Sequence, residues 1–140
     1  MTPIDPIFGP VLVQVALTVT VLFWLAYARF SFIGREGIAT VRDKGFPPRA
    51  VQASDNFKNQ FEVPVLFYVL AVFFAVAGET TPLVLFLAWV FAGARVLHAL
   101  VQLTTNVIFP WRFGFFFLSG LCVLGLTILA WAQMARGAVA

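Results

Sequence analysis

The chain turns from polar to apolar within the stretch Asp55-Asn56-Phe57-Lys58-Asn59-Gln60-Phe61-Glu62-Val63-Pro64-Val65-Leu66-Phe67-Tyr68-Val69-Leu70. It begins as a charged, soluble-looking segment and becomes a membrane helix within a few residues. Glu62 then stands inside an apolar run, where a carboxylate is costly unless it has a partner. Asp55, Asn59 and Glu62 are spaced i, i+4, i+7. That spacing predicts one shared helical face, turned toward protein rather than lipid. A second polar stripe answers it further on. Arg95, His98, Gln102 and Asn106 recur at i, i+3, i+7, i+11, again one face of a hydrophobic segment.

The surrounding composition sets the solvent. Of the 140 residues, 61% are hydrophobic and 11% charged, against roughly a quarter charged in a soluble domain. The chain therefore reads as a single all-α integral membrane domain, a four-helix bundle. Its net charge of +3 does not indicate nucleic acid, because six of the nine Lys and Arg residues cluster between Arg29 and Lys58, as cytoplasmic loop charge does. The one cysteine, Cys122, lies in an apolar run and reads as a small buried hydrophobe. No zinc-ligand or redox spacing is present. No Lys or Arg precedes the first apolar run, so no secretory leader is expected.

Hydrophobic runs place spans at about 8–28, 56–77, 82–106 and 113–134, each near the ~20 residues needed to cross a bilayer. Residues 29–55 are expected to form a cytoplasmic loop, broken by Gly34, Gly37, Gly45 and Phe46-Pro47-Pro48, with a short interfacial helix over Glu36–Lys44. For most of its cations the plain reading is topological charge and headgroup contact. Pro64 is expected to weaken or kink the second span near Glu62. The cation-rich first and third connections predict an N-out, C-out topology. At ~1.5 Å per residue, Glu62 then lies about 9 Å deep, His98 about 12 Å and Arg95 about 16 Å. Those depths predict that Glu62 pairs with Arg95, His98 or both.

Two motifs, in order and on matching spans, resemble the MAPEG family, the membrane-associated proteins in eicosanoid and glutathione metabolism. One is Asn59-x-x-Glu62 followed by Pro64. The other is Ala94-Arg95-x-x-His98 followed by Pro110-x-Arg112. The resemblance implies a homotrimer of four-helix subunits in contact with membrane lipid, with glutathione as cofactor and a lipophilic small molecule as substrate. For this divergent, bacterial-type member it implies an inner (plasma) membrane location. It further implies that Lys58, Asn59, Glu62, Arg95, His98 and Gln102 contact glutathione and that Arg112 is catalytic, stabilising the thiolate. A cation beside a thiol does favour the thiolate, which is the nucleophile.

The chain departs from the family pattern at several positions. Asp55 stands where many glutathione-using members have an arginine, and Gln102 where they have a tyrosine. Phe113 and Phe116 replace hydroxyl residues of some members, and Arg112 lies one residue farther from Arg95. Two functions follow from the sequence. One is a glutathione-dependent transferase or peroxidase acting on lipophilic electrophiles. The other is a non-catalytic trimeric scaffold, lipid-binding protein or accessory subunit, in which the buried polar residues serve as glue between helices. A transporter is disfavoured, since no discontinuous helices occupy matching halves.

Overall fold

The structure, a computed structural model, describes residues 4–137. It is all-helical over those residues. The first helix, α1, runs Phe8–Lys44; α2 is Pro48–Asn59, α3 Val63–Ala77, α4 Pro82–Leu103 and α5 Phe113–Gly137. Four helical stretches are long and apolar enough to cross a membrane, with α2 and α3 together forming the second. Large apolar side chains point outward all along them, among them Leu12, Phe23, Val76, Phe86, Leu124 and Ile128. Such a surface belongs in hydrocarbon, where helices are favoured because each satisfies its own backbone groups. The protein is an integral membrane protein.

Small residues let the helices approach. Ala88, Ala92 and Ala99 on α4 are buried, and Gly9 and Gly125 press on the side chains of Trp89 and Leu87. The apolar core is built around Phe67 of α3, whose ring stacks on Phe91 of α4 with centroids 4.3 Å apart. Ala71, Phe74, Val84, Ala88, Cys122 and Leu126 complete it. Cys122 is buried there as the sequence suggests.

At one end of the bundle the turn between α3 and α4 is tied down. Gly78 takes the left-handed conformation, φ 67°, that closes α3, and Thr81 caps α4 by accepting from the Val84 N–H at 3.3 Å. Asp5 joins the start of the chain to this turn: its carboxylate accepts from Thr80 Oγ1 at 3.0 Å and from the Ile7 N–H at 2.9 Å.

The opposite end differs from the sequence expectation in three ways. First, residues 29–55 are mostly helix, not loop. The first helix continues past the apolar run to Lys44, bending where Gly37 adopts φ 77°, ψ 158°. Beyond that break residues 38–44 are helical, within the stretch where the sequence predicts a short helix. Gly45-Phe46-Pro47 then reverses the chain and α2 returns alongside α1. Arg29 holds this hairpin: its Nη2 donates to Ser54 Oγ at 3.2 Å and its guanidinium lies 5.1 Å from the Phe46 ring centroid. This cation is a clamp between α1 and α2 rather than a headgroup contact.

Second, the helix expected over 56–77 is broken. Pro64 forbids the fourth-previous hydrogen bond, and the chain leaves helical geometry at Gln60–Glu62, with Glu62 at φ −94°, ψ −99°. Asp55, Asn59 and Glu62 therefore do not share one continuous helical face. Third, α4 stops at Leu103, so Asn106 is not part of its stripe. Asn106 takes φ 51° and precedes a single wide turn, Ile108–Arg112, closed by a bond from the Arg112 N–H to the Val107 carbonyl at 3.3 Å.

The geometry at Gly78 gives a signed test. A Cβ there meets no neighbour, so Gly78→Ala is expected to cost only the left-handed penalty, about 1–2 kcal/mol. Gly34→Ala, also in open space but within regular helix, is expected to stabilise by about 0.5–1 kcal/mol. Thermal unfolding in detergent reads both, and shifts of opposite sign are expected.

Candidate functional site

The site grows from a set of amides buried between α1, α2 and α4. Gln14, Asn56, Gln60 and Gln102 are essentially inaccessible. Gln14 Nε2 donates to Gln60 Oε1 at 2.8 Å, and Gln60 Nε2 donates to Asn56 Oδ1 at 2.9 Å. Asn56 Nδ2 donates onward to Gln102 Oε1 at 3.1 Å and to the Ala99 carbonyl at 3.3 Å. Asn59 Nδ2 meets the same Gln102 oxygen at 3.1 Å, as does His98 Nε2 at 3.1 Å. The Gln102 backbone carbonyl accepts from Gln52 Nε2. One glutamine thus joins α4 to α2 directly, and through Asn56 and Gln60 the network reaches Gln14 on α1. Away from water, such amides hold helices together through the partners they find; Gln14 Oε1 is the one amide oxygen of the network without a partner among the described residues.

His98 carries the network to the fourth span. Its Nδ1 lies 3.0 Å from the Arg112 carbonyl and its ring 5.8 Å from that of Phe116. Both ring nitrogens face oxygen acceptors. A neutral imidazole donates to one of them and an imidazolium to both. The Arg112 side chain is fixed in turn: its Nη1 donates to Asn106 Oδ1 at 3.0 Å. The displaced Asn106 therefore still serves the site, as an anchor for Arg112 on the wide turn.

Arg95 is fully buried and sits under the break between α2 and α3. Its Nη2 donates to the Asn59 carbonyl at 2.7 Å, the last residue of α2, where helix carbonyls lack partners and cations are favourable. Its Nε and Nη1 have no hydrogen-bond partner among the described residues. The expected pairing of Glu62 with Arg95 or His98 is not formed. Among the described residues the one ion pair is Lys58 with Asp55, at 3.5 Å. The helix break explains this, because it turns Glu62 outward instead of keeping it in register with Asn59.

A cavity of about 390 Å³ opens beside this framework, lined by Asn59, Glu62, His98, Ile108, Arg112, Phe113 and Phe116. Of the seven residues singled out from the sequence, Asn59, Glu62, His98 and Arg112 come together here. Arg95 and Gln102 lie behind the wall, holding it. Lys58 stands apart, with its side chain largely exposed and turned to Asp55. Sequence reading missed Gln14, Asn56 and Gln60 as parts of the framework. The signal for Gln14 was visible, an amide in the middle of an apolar span; nothing local marked Asn56 and Gln60 as buried.

The geometry also makes Gln102 a stability determinant. Gln102→Leu removes the acceptor of Asn56 and Asn59 and the partner of His98 Nε2, and each buried donor left unpaired costs about 1–3 kcal/mol. A loss of more than about 2 kcal/mol is expected in detergent unfolding, with Gln102→Glu, which keeps an acceptor oxygen at that position, losing less.

Searches of curated proteins and of solved structures give no significant match. The MAPEG family matches residues 7–132, which takes in every residue of the amide framework and of the cavity wall. By that match, the chain belongs to the MAPEG family.

Proposed function

We propose that this MAPEG protein is a glutathione-dependent transferase or peroxidase acting on lipophilic electrophiles, working as a homotrimer in a bacterial inner membrane with its cationic end in the cytoplasm. The observation that carries the reading is the division of the cavity wall. Asn59, Glu62, His98 and Arg112 supply polar groups, while Ile108, Phe113 and Phe116 supply an apolar side. A water-soluble thiol and an apolar partner each find a matching surface there.

The donor set suits a zwitterionic thiol peptide. Glu62 has neither an ion pair nor a hydrogen bond among the described residues, leaving its carboxylate for an ammonium group. Asn59 fills its Nδ2 bond with Gln102 and keeps its side-chain oxygen as an acceptor. Bound glutathione supplies the sulfur nucleophile, active as the thiolate. Arg112, anchored through one nitrogen by Asn106, has further N–H donors to hold that negative charge. His98 fixes the Arg112 backbone and so the position of the guanidinium. Phe113 and Phe116 hold an apolar electrophile and keep water from it. Lys58, neutralised by Asp55, is given no part in binding.

A second reading, a non-catalytic scaffold or lipid-binding trimer, draws on Gln102 and Arg95. Both are committed to internal contacts, and the acidic Asp55 offers nothing to a peptide carboxylate. The two readings separate at Arg112. Removing one preorganised charge stabiliser typically lowers turnover by roughly 100-fold or more. In a screen of glutathione with apolar electrophiles, Arg112→Ala is expected to lose turnover on that scale and the ultraviolet thiolate signal of bound glutathione, with the oligomer unchanged in size. Retained turnover would remove Arg112 from the chemistry. A wild-type protein with no turnover and no thiolate signal would favour the scaffold.

A further inference from the structure

A second cavity, of about 480 Å³, lies between α1 and the start of α2, away from the site above. Its wall has an order along the membrane normal. Along α1, Trp24 and Tyr27 come first, then Phe32 and Arg35 toward the polar end, and Pro47 and Arg49 from the start of α2 close the same wall. From Trp24 to Arg35 is about 16 Å along the helix, a distance that reaches from the upper acyl layer through the headgroup layer. Trp and Tyr are the residues that occupy this boundary.

The cationic part is arranged for an anion. Arg35 donates its Nε to the Ser31 carbonyl at 3.1 Å, which orients the guanidinium while its terminal nitrogens keep no protein partner among the described residues. Arg49 occupies the second position of α2, in a first turn that contains no acidic residue and whose cap, Pro47, makes no side-chain hydrogen bond. A helix start ordinarily favours negative charge and disfavours a cation. Here it carries an arginine instead, and no Asp or Glu lines the cavity. Ala50 and Val51 already donate their N–H groups to the Pro47 carbonyl, so it is the two arginines on one cavity wall that call for an anion. The aromatic lower wall then takes an attached chain.

We propose that this cavity binds the phosphate of an anionic phospholipid, with Arg35 and Arg49 on the headgroup and Trp24 and Tyr27 along the glycerol and upper acyl chain. The assignment is independent of what occupies the cavity at Arg112.

Native mass spectrometry of the delipidated protein in a neutral detergent tests it. The probes are dioleoyl phosphatidylglycerol, dioleoyl phosphatidylcholine and soluble glycerol phosphate. The wild type is expected to bind the anionic lipid at least about ten-fold more tightly than the zwitterionic one, with glycerol phosphate not competing at equal concentration. Arg35→Gln with Arg49→Gln is expected to abolish that preference. Arg42→Gln with Lys44→Gln removes the same charge from the same end but outside the cavity, and is expected to preserve it. Equal binding of the two lipids, or equal loss in both double variants, would overturn the site. Glycerol phosphate competing as well as the lipid would overturn the lipid assignment in favour of a soluble phosphate.

Discussion

A side-chain oxygen buried between helices is costly unless donors match it, and the donors gathered at Gln102 organise the polar half of this protein. Its Oε1 accepts from Asn56 and Asn59 and lies 3.1 Å from His98 Nε2. Through Asn56 and Gln60 it reaches Gln14 on α1. Through His98 it reaches the turn before α5. Lipid offers no substitute partner for any of these groups. The helices that carry them are therefore held at one relative height and rotation, whatever the looser apolar contacts below allow. The stacked pair Phe67 and Phe91 and the alanines of α4 supply contact area; the amides supply register.

The break between α2 and α3 is the second consequence. Pro64 interrupts the helix, and an interrupted helix inside a membrane protein leaves carbonyls that something must satisfy. Arg95 does so at the Asn59 carbonyl. A cation buried beneath a helix end is thus tolerable here, with the helix dipole and a carbonyl in place of a carboxylate. The break in turn frees Glu62 from the helical register and sets it on the wall of the cavity opposite Arg112. The most costly residue in the bundle and the kink beside it are two parts of one arrangement. It leaves a carboxylate, free of partners among the described residues, and an arginine anchored by Asn106 on the wall of one cavity.

Much of this was legible in the sequence because hydrophobic periodicity and a few costly residues carried it. Four spans and the polar stripe at Arg95, His98 and Gln102 follow from patterns the chain displays, while the grouping of Arg112 with Asn59, Glu62 and His98 is implied by the family resemblance. The helix at 29–44 was obscured by Gly34, Gly37 and Gly45. Glycine read as a breaker, yet only Gly37 and Gly45 take positive φ and Gly34 sits in ordinary helix. The depth of Glu62 along an unbroken helix predicts a partner in Arg95 or His98, but the break before Pro64 takes Glu62 out of that register. Asn106 continued a numerical stripe past the point where α4 stops. The burial of Asn56 and Gln60 was not legible at all, because it depends on α2 folding back along α1. No local feature of a charged segment announces that.

The claim that joins these elements is that the cavity between Asn59, Glu62, His98 and Arg112 is a binding site for glutathione. Calorimetric titration of glutathione into the purified protein in mild detergent addresses it most directly, before any substrate is known. Saturable binding, with a stoichiometry tied to the oligomer, is the predicted result. Absence of binding at millimolar glutathione, in protein that is folded and oligomeric, would contradict it and leave the same framework of amides serving a scaffold.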